Sequence, residues 1–205
     1  MGKCSASGAG RRAAGQALWH RRASGVCMRW FSAVPILWAF AAPAWAAVKV
    51  VGTPKVTFAA TGTVMDMEGV GSTLTVSDDG TTLRFTVPMK TVSTDNSLRD
   101  DHMHNTYLEV GKFPDVVVAV PKAEFKLPAA AGEKLKGSVT GTFTAHGVTQ
   151  PVKVNYAAKR GDASTKVDAT FDFDVSQHGI AIPSYLGVTL DPKMKGAAAV
   201  ELVDG

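Results

Sequence analysis

Val139-Thr140-Gly141-Thr142-Phe143-Thr144-Ala145-His146-Gly147-Val148-Thr149-Gln150-Pro151-Val152-Lys153-Val154-Asn155-Tyr156 is the segment whose reading decides the fold. Val139, Gly141, Phe143 and Ala145 alternate with Thr140, Thr142 and Thr144. Val152, Val154 and Tyr156 then alternate with Lys153 and Asn155. Successive side chains of a strand point to opposite faces, so each half has one apolar and one wet face. His146-Gly147 between them suits the positive φ angles of a tight hairpin turn. The segment therefore predicts two antiparallel strands of a sheet with one solvated side.

The same period extends outward in both directions. Leu83, Phe85, Val87 and Met89 alternate with Arg84, Thr86 and Pro88, and Val116, Val118 and Val120 share one face of an apolar run. Phe171, Phe173 and Val175 alternate with Asp172 and Asp174. Asp78-Asp79-Gly80 punctuates Leu74–Ser77 and Thr81–Val87 as a second hairpin. Gly161-Asp162 begins another turn, and Pro128 to Gly137 reads as a longer loop of small residues. Seven to nine strands at regular spacing suggest a barrel or a sandwich. Only Asp95 to Lys112 breaks the alternation. It predicts a short helix from about Leu98 to Tyr107, capped by Asn96 or Ser97, with Asp100 completing a capping box. Asp100 and Asp101 suit its first turn. Leu98 and Met103 are placed to cover a barrel mouth.

Composition separates the first 46 residues from the rest. They hold all four tryptophans, both cysteines (Cys4 and Cys27), six of the 22 Lys and Arg residues and no acidic residue. From position 47 onward 16 basic residues face 18 acidic ones, a balance of −2, although the whole chain carries +4. The basic excess thus belongs to the leader, and nucleic acid is not an expected partner, because binding needs a basic stripe on the folded domain. Residues 28–46 read as a secretory signal: Arg29, the apolar run Trp30 to Ala42, then Ala44-Trp45-Ala46 as a small-x-small cleavage pattern. The run is 13 residues long, short of the roughly 20 that span a bilayer. Met28 makes a natural start. The expected division is a leader at 1–46 and a barrel domain at 47–205, secreted or periplasmic. A mature chain from Ala47 has no cysteine, so disulfides, thiolate metal sites and cysteine nucleophiles are excluded.

Several of these motifs together resemble the YceI-like family. They are Arg99-Asp100-Asp101-His102-Met103 with Phe113-Pro114-Asp115-Val116, Gly141 through Val152, Phe171-Asp172-Phe173-Asp174-Val175, Gly179-Ile180, and Pro183-Ser184-Tyr185-Leu186-Gly187-Val188. The resemblance implies a lipocalin-like, all-β, antiparallel barrel of eight strands with one short helix near the mouth. It further implies a polyisoprenoid or similar amphiphile in an apolar tunnel. The opening Asp and His-Ser pair frequent in the family are absent from Val51–Phe58. A polar head-group contact from the first strand therefore lacks its residues here.

Eight strands enclose either packed side chains or one small ligand. The alternation nominates Leu74, Val76, Leu83, Phe85, Val87, Val118, Val120, Phe143, Val154, Tyr156, Phe171 and Phe173 as the lining. Periodicity does not distinguish a filled core from a tunnel; the resemblance implies the tunnel. The expected ligand is an isoprenoid or other long-chain lipid, with no cofactor, no metal and no catalytic residue. Transient membrane contact and a homodimer through an edge strand stay open.

Two other function classes also stay open. One is an isomerase or hydrolase acting on a hydrophobic substrate through His146 or His178; the other is a haem or electron-transfer protein with a histidine ligand. The residue patterns favour plainer roles. His102 and His104 diverge on a helix and make a poor metal pair. His146 fits a turn position that tolerates positive φ. Ser176 and His178 lack the strand–turn–helix elbow of a nucleophile. Arg99 suits either an anionic head group or a local pair with Asp100 and Asp101, and the local pair is the expectation. Tyr107, Tyr156 and Tyr185 each suit either a head-group bond or the barrel wall.

Overall fold

The computed structural model describes residues 48–62, 66–182, 184–185 and 188–204. The leader and its cleavage pattern lie outside the described residues. The strands are β1 (Val48–Gly62), β2 (Met67–Gly71), β3 (Thr75–Asp78), β4 (Thr82–Pro88), β5 (Asp115–Pro121), β6 (Lys134–Ala145), β7 (Val148–Arg160), β8 (Thr165–Asp174), β9 (Ser184–Tyr185) and β10 (Val188–Asp204). All pairings are antiparallel, in the order β2-β1-β10-β8-β7-β6-β5-β4-β3, with the two-residue β9 on β10.

The two end strands of that order are consecutive in the chain, separated only by Ser72, Thr73 and Leu74. One bent segment thus pairs with β1 through β2 and with β4 through β3. Counting it once, the sheet is a ring of eight strands, the lipocalin-like barrel. Asp78 fastens the seam. It is ion-paired with Lys122 beyond β5, and accepts hydrogen bonds from the backbone N–H groups of Gly80 and Val48.

Ring closure demands curvature. The β1–β10 ladder slips by two residues between Val51 and Lys55, and again between Ala60 and Gly62. Pro54 and Asp191-Pro192 fall inside the two irregularities, and Gly52 has φ +70°. Proline has no ladder donor and belongs at bulges, where a strand bends and twists more. Glycine serves the same closure from inside. Gly196 stands opposite Phe171 in the β10–β8 register, and a Cβ there would come within 3.0 Å of the Phe171 ring. Gly137 lies likewise under Tyr156, where an added Cβ would come 2.8 Å from the hydroxyl. Rings lie flat on the wall where the facing strand has no side chain.

Both anticipated hairpins form. Asp79-Gly80 turns between β3 and β4, and His146 (φ +50°) with Gly147 (φ +76°) turns between β6 and β7. The loop expected to run to Gly137 ends earlier, because β6 begins at Lys134 and pairs there with Lys159. The helical stretch is in two parts: α1 (Ser97–His102), capped by the Asn96 side chain, and a wider π turn at Met103–Tyr107. No capping box forms. Asp100 turns back to accept from Ser93 Oγ (2.6 Å) and from the N–H and hydroxyl of Thr94. Burial alone would raise its carboxyl, but these donors hold it below the usual carboxylate value. Arg99 does not pair with the neighbouring acids either. Its guanidinium donates to the hydroxyl and carbonyl oxygens of Thr94. Leu98 is 68 % exposed, so it covers no mouth, whereas Met103 packs against the core.

Two stability tests follow from the closure. Gly196→Ala should cost about 1–3 kcal/mol, as overpacking of a tight site does. Gly111→Ala, where a Cβ meets nothing within 4 Å, should leave urea unfolding unchanged. Asp78→Asn probes the seam. The Lys122 ammonium, chiefly, holds the Asp78 carboxyl below 3.8, against the opposing effect of burial. The pair therefore stabilises the fold above that pH, and its contribution is lost as pH falls through the folded-state value. The variant should melt below wild type at neutral pH, and the gap should close in acid.

Candidate functional site

Inward-pointing residues of all the main strands meet along the barrel axis. The central cavity is lined by seventeen residues, every one Val, Leu, Phe or Ala. Eight of the twelve anticipated lining residues are among them: Leu74, Phe85, Val87, Val118, Val120, Phe143, Val154 and Phe171. Leu83 and Tyr156 are buried in the surrounding core instead, and Val76 and Phe173 pack against it. The Tyr156 hydroxyl accepts from the Lys126 N–H at 2.9 Å, so it holds a loop rather than facing the cavity.

Sequence reading passed over Val56, Phe58, Val116, Phe125, Val167, Ala169, Ala197, Ala198 and Val200, which complete the lining. Val56 and Phe58 do alternate along β1. Ala197 and Ala198 carry no periodic signal, because alanine is unremarkable on either face. Phe125 lies beyond β5 in a loop, where a strand pattern gives no information.

The cavity encloses about 60 Å³. An apolar cavity of about 150 Å³ accepts benzene, so the interior as it stands is nearly filled. The open tunnel implied by the resemblance is absent from this form, and aromatic rings are the reason. Phe143 packs on Phe171 and Phe173 at centroid distances of 5.2 and 4.7 Å, and Phe58 meets Phe173 edge-on at 6.3 Å. At the opposite end Phe125 stacks on Tyr156 (4.7 Å) and meets Phe85 (6.0 Å).

The two ends differ. Phe125, Tyr156 and the loop after β5 plug one. At the other, an open cleft of about 700 Å³ is lined by Ala59, Thr61, Gln150, Pro151, Val152, Asp172, Asp174, Gln177, Lys193, Met194 and Lys195, together with Phe143, Phe173 and His178. Phe143 is the residue common to cavity and cleft. The Phe143–Phe173 pair is therefore the partition between an apolar interior and a polar vestibule.

Three histidines are held by structural bonds. His146 Nε2 is 3.1 Å from Glu109 Oε2, and its ring stacks on Phe113 at 4.3 Å. Lys112, then His146, hold the Glu109 carboxyl below its usual value. This clasp docks the π turn's exit on the β6–β7 hairpin. Gly147 is required beside it, since a Cβ would come 2.8 Å from Phe113. His104 Nε2 lies 3.0 Å from the Val92 carbonyl oxygen. His178 is 1 % exposed, and its Nδ1 lies 3.0 Å from the Val148 carbonyl oxygen. Ser176 donates to Asp174, not to His178. Among the described residues no three His, Cys, Asp or Glu side chains are placed to hold a metal. The side chain of Tyr185 lies outside the described residues.

A family model described as YceI-like domain matches residues 42–202. No curated protein matches the chain. Among solved structures it resembles a polyisoprenoid binding domain from Saccharophagus degradans implicated in plant cell wall breakdown. Identity is 14 % and the TM-score 0.64, over 78 % of this chain and 99 % of that one. It also resembles BcnA of Burkholderia cenocepacia at 14 % identity and TM-score 0.57, over 72 % of this chain and 95 % of that one. Likenesses at this identity bear on the fold.

The partition is open to a direct measurement. Phe143→Ala should destabilise the ligand-free protein by about 3–5 kcal/mol, the usual cost of emptying a buried aromatic site. Chemical denaturation reads the loss, and a change below 1 kcal/mol would mean that the ring is not packed as described.

Proposed function

The chain belongs to the YceI-like domain family, and from that membership we propose that its barrel binds a long apolar lipid of isoprenoid type, polyprenyl or quinone-like, as an extracytoplasmic carrier or scavenger. The observation that carries this reading is the central cavity lined throughout by Val, Leu, Phe and Ala, aligned with a polar cleft at one end. Such a path suits a molecule with one polar end and a hydrocarbon tail. The similar domain described as polyisoprenoid binding supports the ligand class. The signal-like residues 28–46 support a location outside the cytoplasm.

Binding requires no cofactor and no reacting group. His146, His178 and Ser176 are each committed to structural bonds, which supports a binding protein rather than an isomerase, hydrolase or haem carrier. Loading by transient membrane contact fits a ligand that is itself insoluble in water. A dimer pairing edge strands is not needed by the reading.

The small cavity sets the mechanism. Each isoprene unit brings five carbons, close to the six of benzene, so a chain of several units needs several times the present 60 Å³. The tail enters by displacing the aromatic rings at the partition. Burial at about 25 cal/mol per Å² supplies on the order of 10 kcal/mol gross for such a tail. Association, side-chain ordering and ring displacement offset part of it.

Protein purified from its native host, extracted with organic solvent and analysed by mass spectrometry, should release a prenyl lipid. Geranylgeraniol should raise the melting temperature in proportion to its logarithmic excess over Kd. Phe143→Ala, although less stable alone, should gain more from the same ligand. If extracts contain no prenyl lipid and neither protein responds, the reading is wrong.

A further inference from the structure

Resting on that lipid-binding reading, we infer that the cleft outside the Phe143–Phe173 partition recognises the ligand's polar end, and that this end is an uncharged hydroxyl rather than a pyrophosphate. The polar atom responsible is His178 Nε2.

His178 is almost wholly buried, yet it lines the cleft. Its ring is fixed edge-on against Phe143 at 5.1 Å and Phe173 at 6.4 Å. The Val148 carbonyl oxygen only accepts, so the His178 Nδ1, 3.0 Å away, carries the proton. In the neutral ring Nε2 is then a lone pair. It has no hydrogen-bond partner among the described residues. No fully enclosed side-chain nitrogen or oxygen among them lacks a partner, so Nε2 is not sealed in, and the opening on which His178 borders is the cleft. A buried acceptor fixed in tautomer, at the junction of vestibule and interior, takes an O–H donor.

Charge separates the alcohol from its phosphorylated forms. The cleft's charged lining is Asp172, Asp174, Lys193 and Lys195, two of each sign. Lys195 stands opposite Asp172, and Lys193 opposite Asp174, in the β10–β8 register. With two charges of each sign, the lining carries no net positive charge to hold a pyrophosphate. A free polyprenol or a hydroquinone has what the cleft can use, a hydroxyl at the end of a prenyl chain.

Calorimetry with three probes of identical tail tests this: geranylgeraniol, its methyl ether and geranylgeranyl pyrophosphate. The alcohol should bind the full mature protein about 2- to 10-fold tighter than the ether, the range expected for one net hydrogen bond. It should also bind at least as tightly as the pyrophosphate. His178→Phe keeps a ring against Phe143 and Phe173 but removes the acceptor. It should abolish the alcohol's advantage over the ether, read as the ratio of the two affinities measured in the same variant. Equal binding of alcohol and ether by wild type, or tightest binding of the pyrophosphate, overturns the head-group inference and leaves lipid binding intact. Failure of all three probes to bind overturns both. The wild-type comparison decides the matter even if His178→Phe does not fold.

Discussion

A sheet of eight strands closed on itself has a radius set by strand number and stagger, and that radius fixes a volume that something must fill. Everything else in this protein answers that constraint. The ring closes because one short segment, β2 and β3 with three residues between them, bends to pair on both sides. It curves because Pro54 and Pro192 interrupt the β1–β10 ladder where a ladder donor is not required. Glycines beneath Phe171 and Tyr156 let two large rings lie against the wall instead of meeting each other in the middle. The outcome is an interior filled almost to the packing density of an ordinary core, with only a small apolar remainder.

The remainder has a direction. Phe125, Tyr156 and the loop after β5 close one end, with the Tyr156 hydroxyl accepting from a backbone N–H of that loop. Breaking this plug would expose a buried polar group as well as apolar surface. At the other end the partition itself is made by ring contacts around Phe143 and Phe173, with polar groups beyond them. The dispersion part of a ring contact is one that a hydrocarbon chain can replace at similar energy. The easier route into the barrel is therefore past the aromatic partition. The Glu109–His146–Phe113 clasp, on the β6–β7 hairpin, keeps the helical segment docked beside that end.

This arrangement also explains how three of the histidines are used. Each of His104, His146 and His178 spends one ring nitrogen on holding a turn or a strand end. A catalytic base needs a partner arranged around a reacting atom, and Ser176, the nearest candidate, is bound to Asp174. What remains available at His178 is one lone pair at the edge of a cleft, enough to recognise a hydroxyl group.

The amino-acid sequence determined the strands and turns, because alternation and turn chemistry are local. Val139 to Tyr156 gives two strands and their hairpin without reference to any other residue. Asp78-Asp79-Gly80 does the same for β3 and β4. Eight of the seventeen lining residues could be read in this way too, since inward residues recur every second position. Residues whose role depends on a distant partner were not legible. Asp100 and Arg99 look like a capping box and an ion pair, yet both turn to Thr94. β10, with Gly196-Ala197-Ala198-Ala199, has too little side chain to show a period, although it closes the ring. Whether the barrel is hollow or full was decided by tertiary structure alone. It depends on how Phe58, Phe143, Phe171 and Phe173, from three different strands, divide one axial space, and packing density is a property of that space rather than of any stretch of chain.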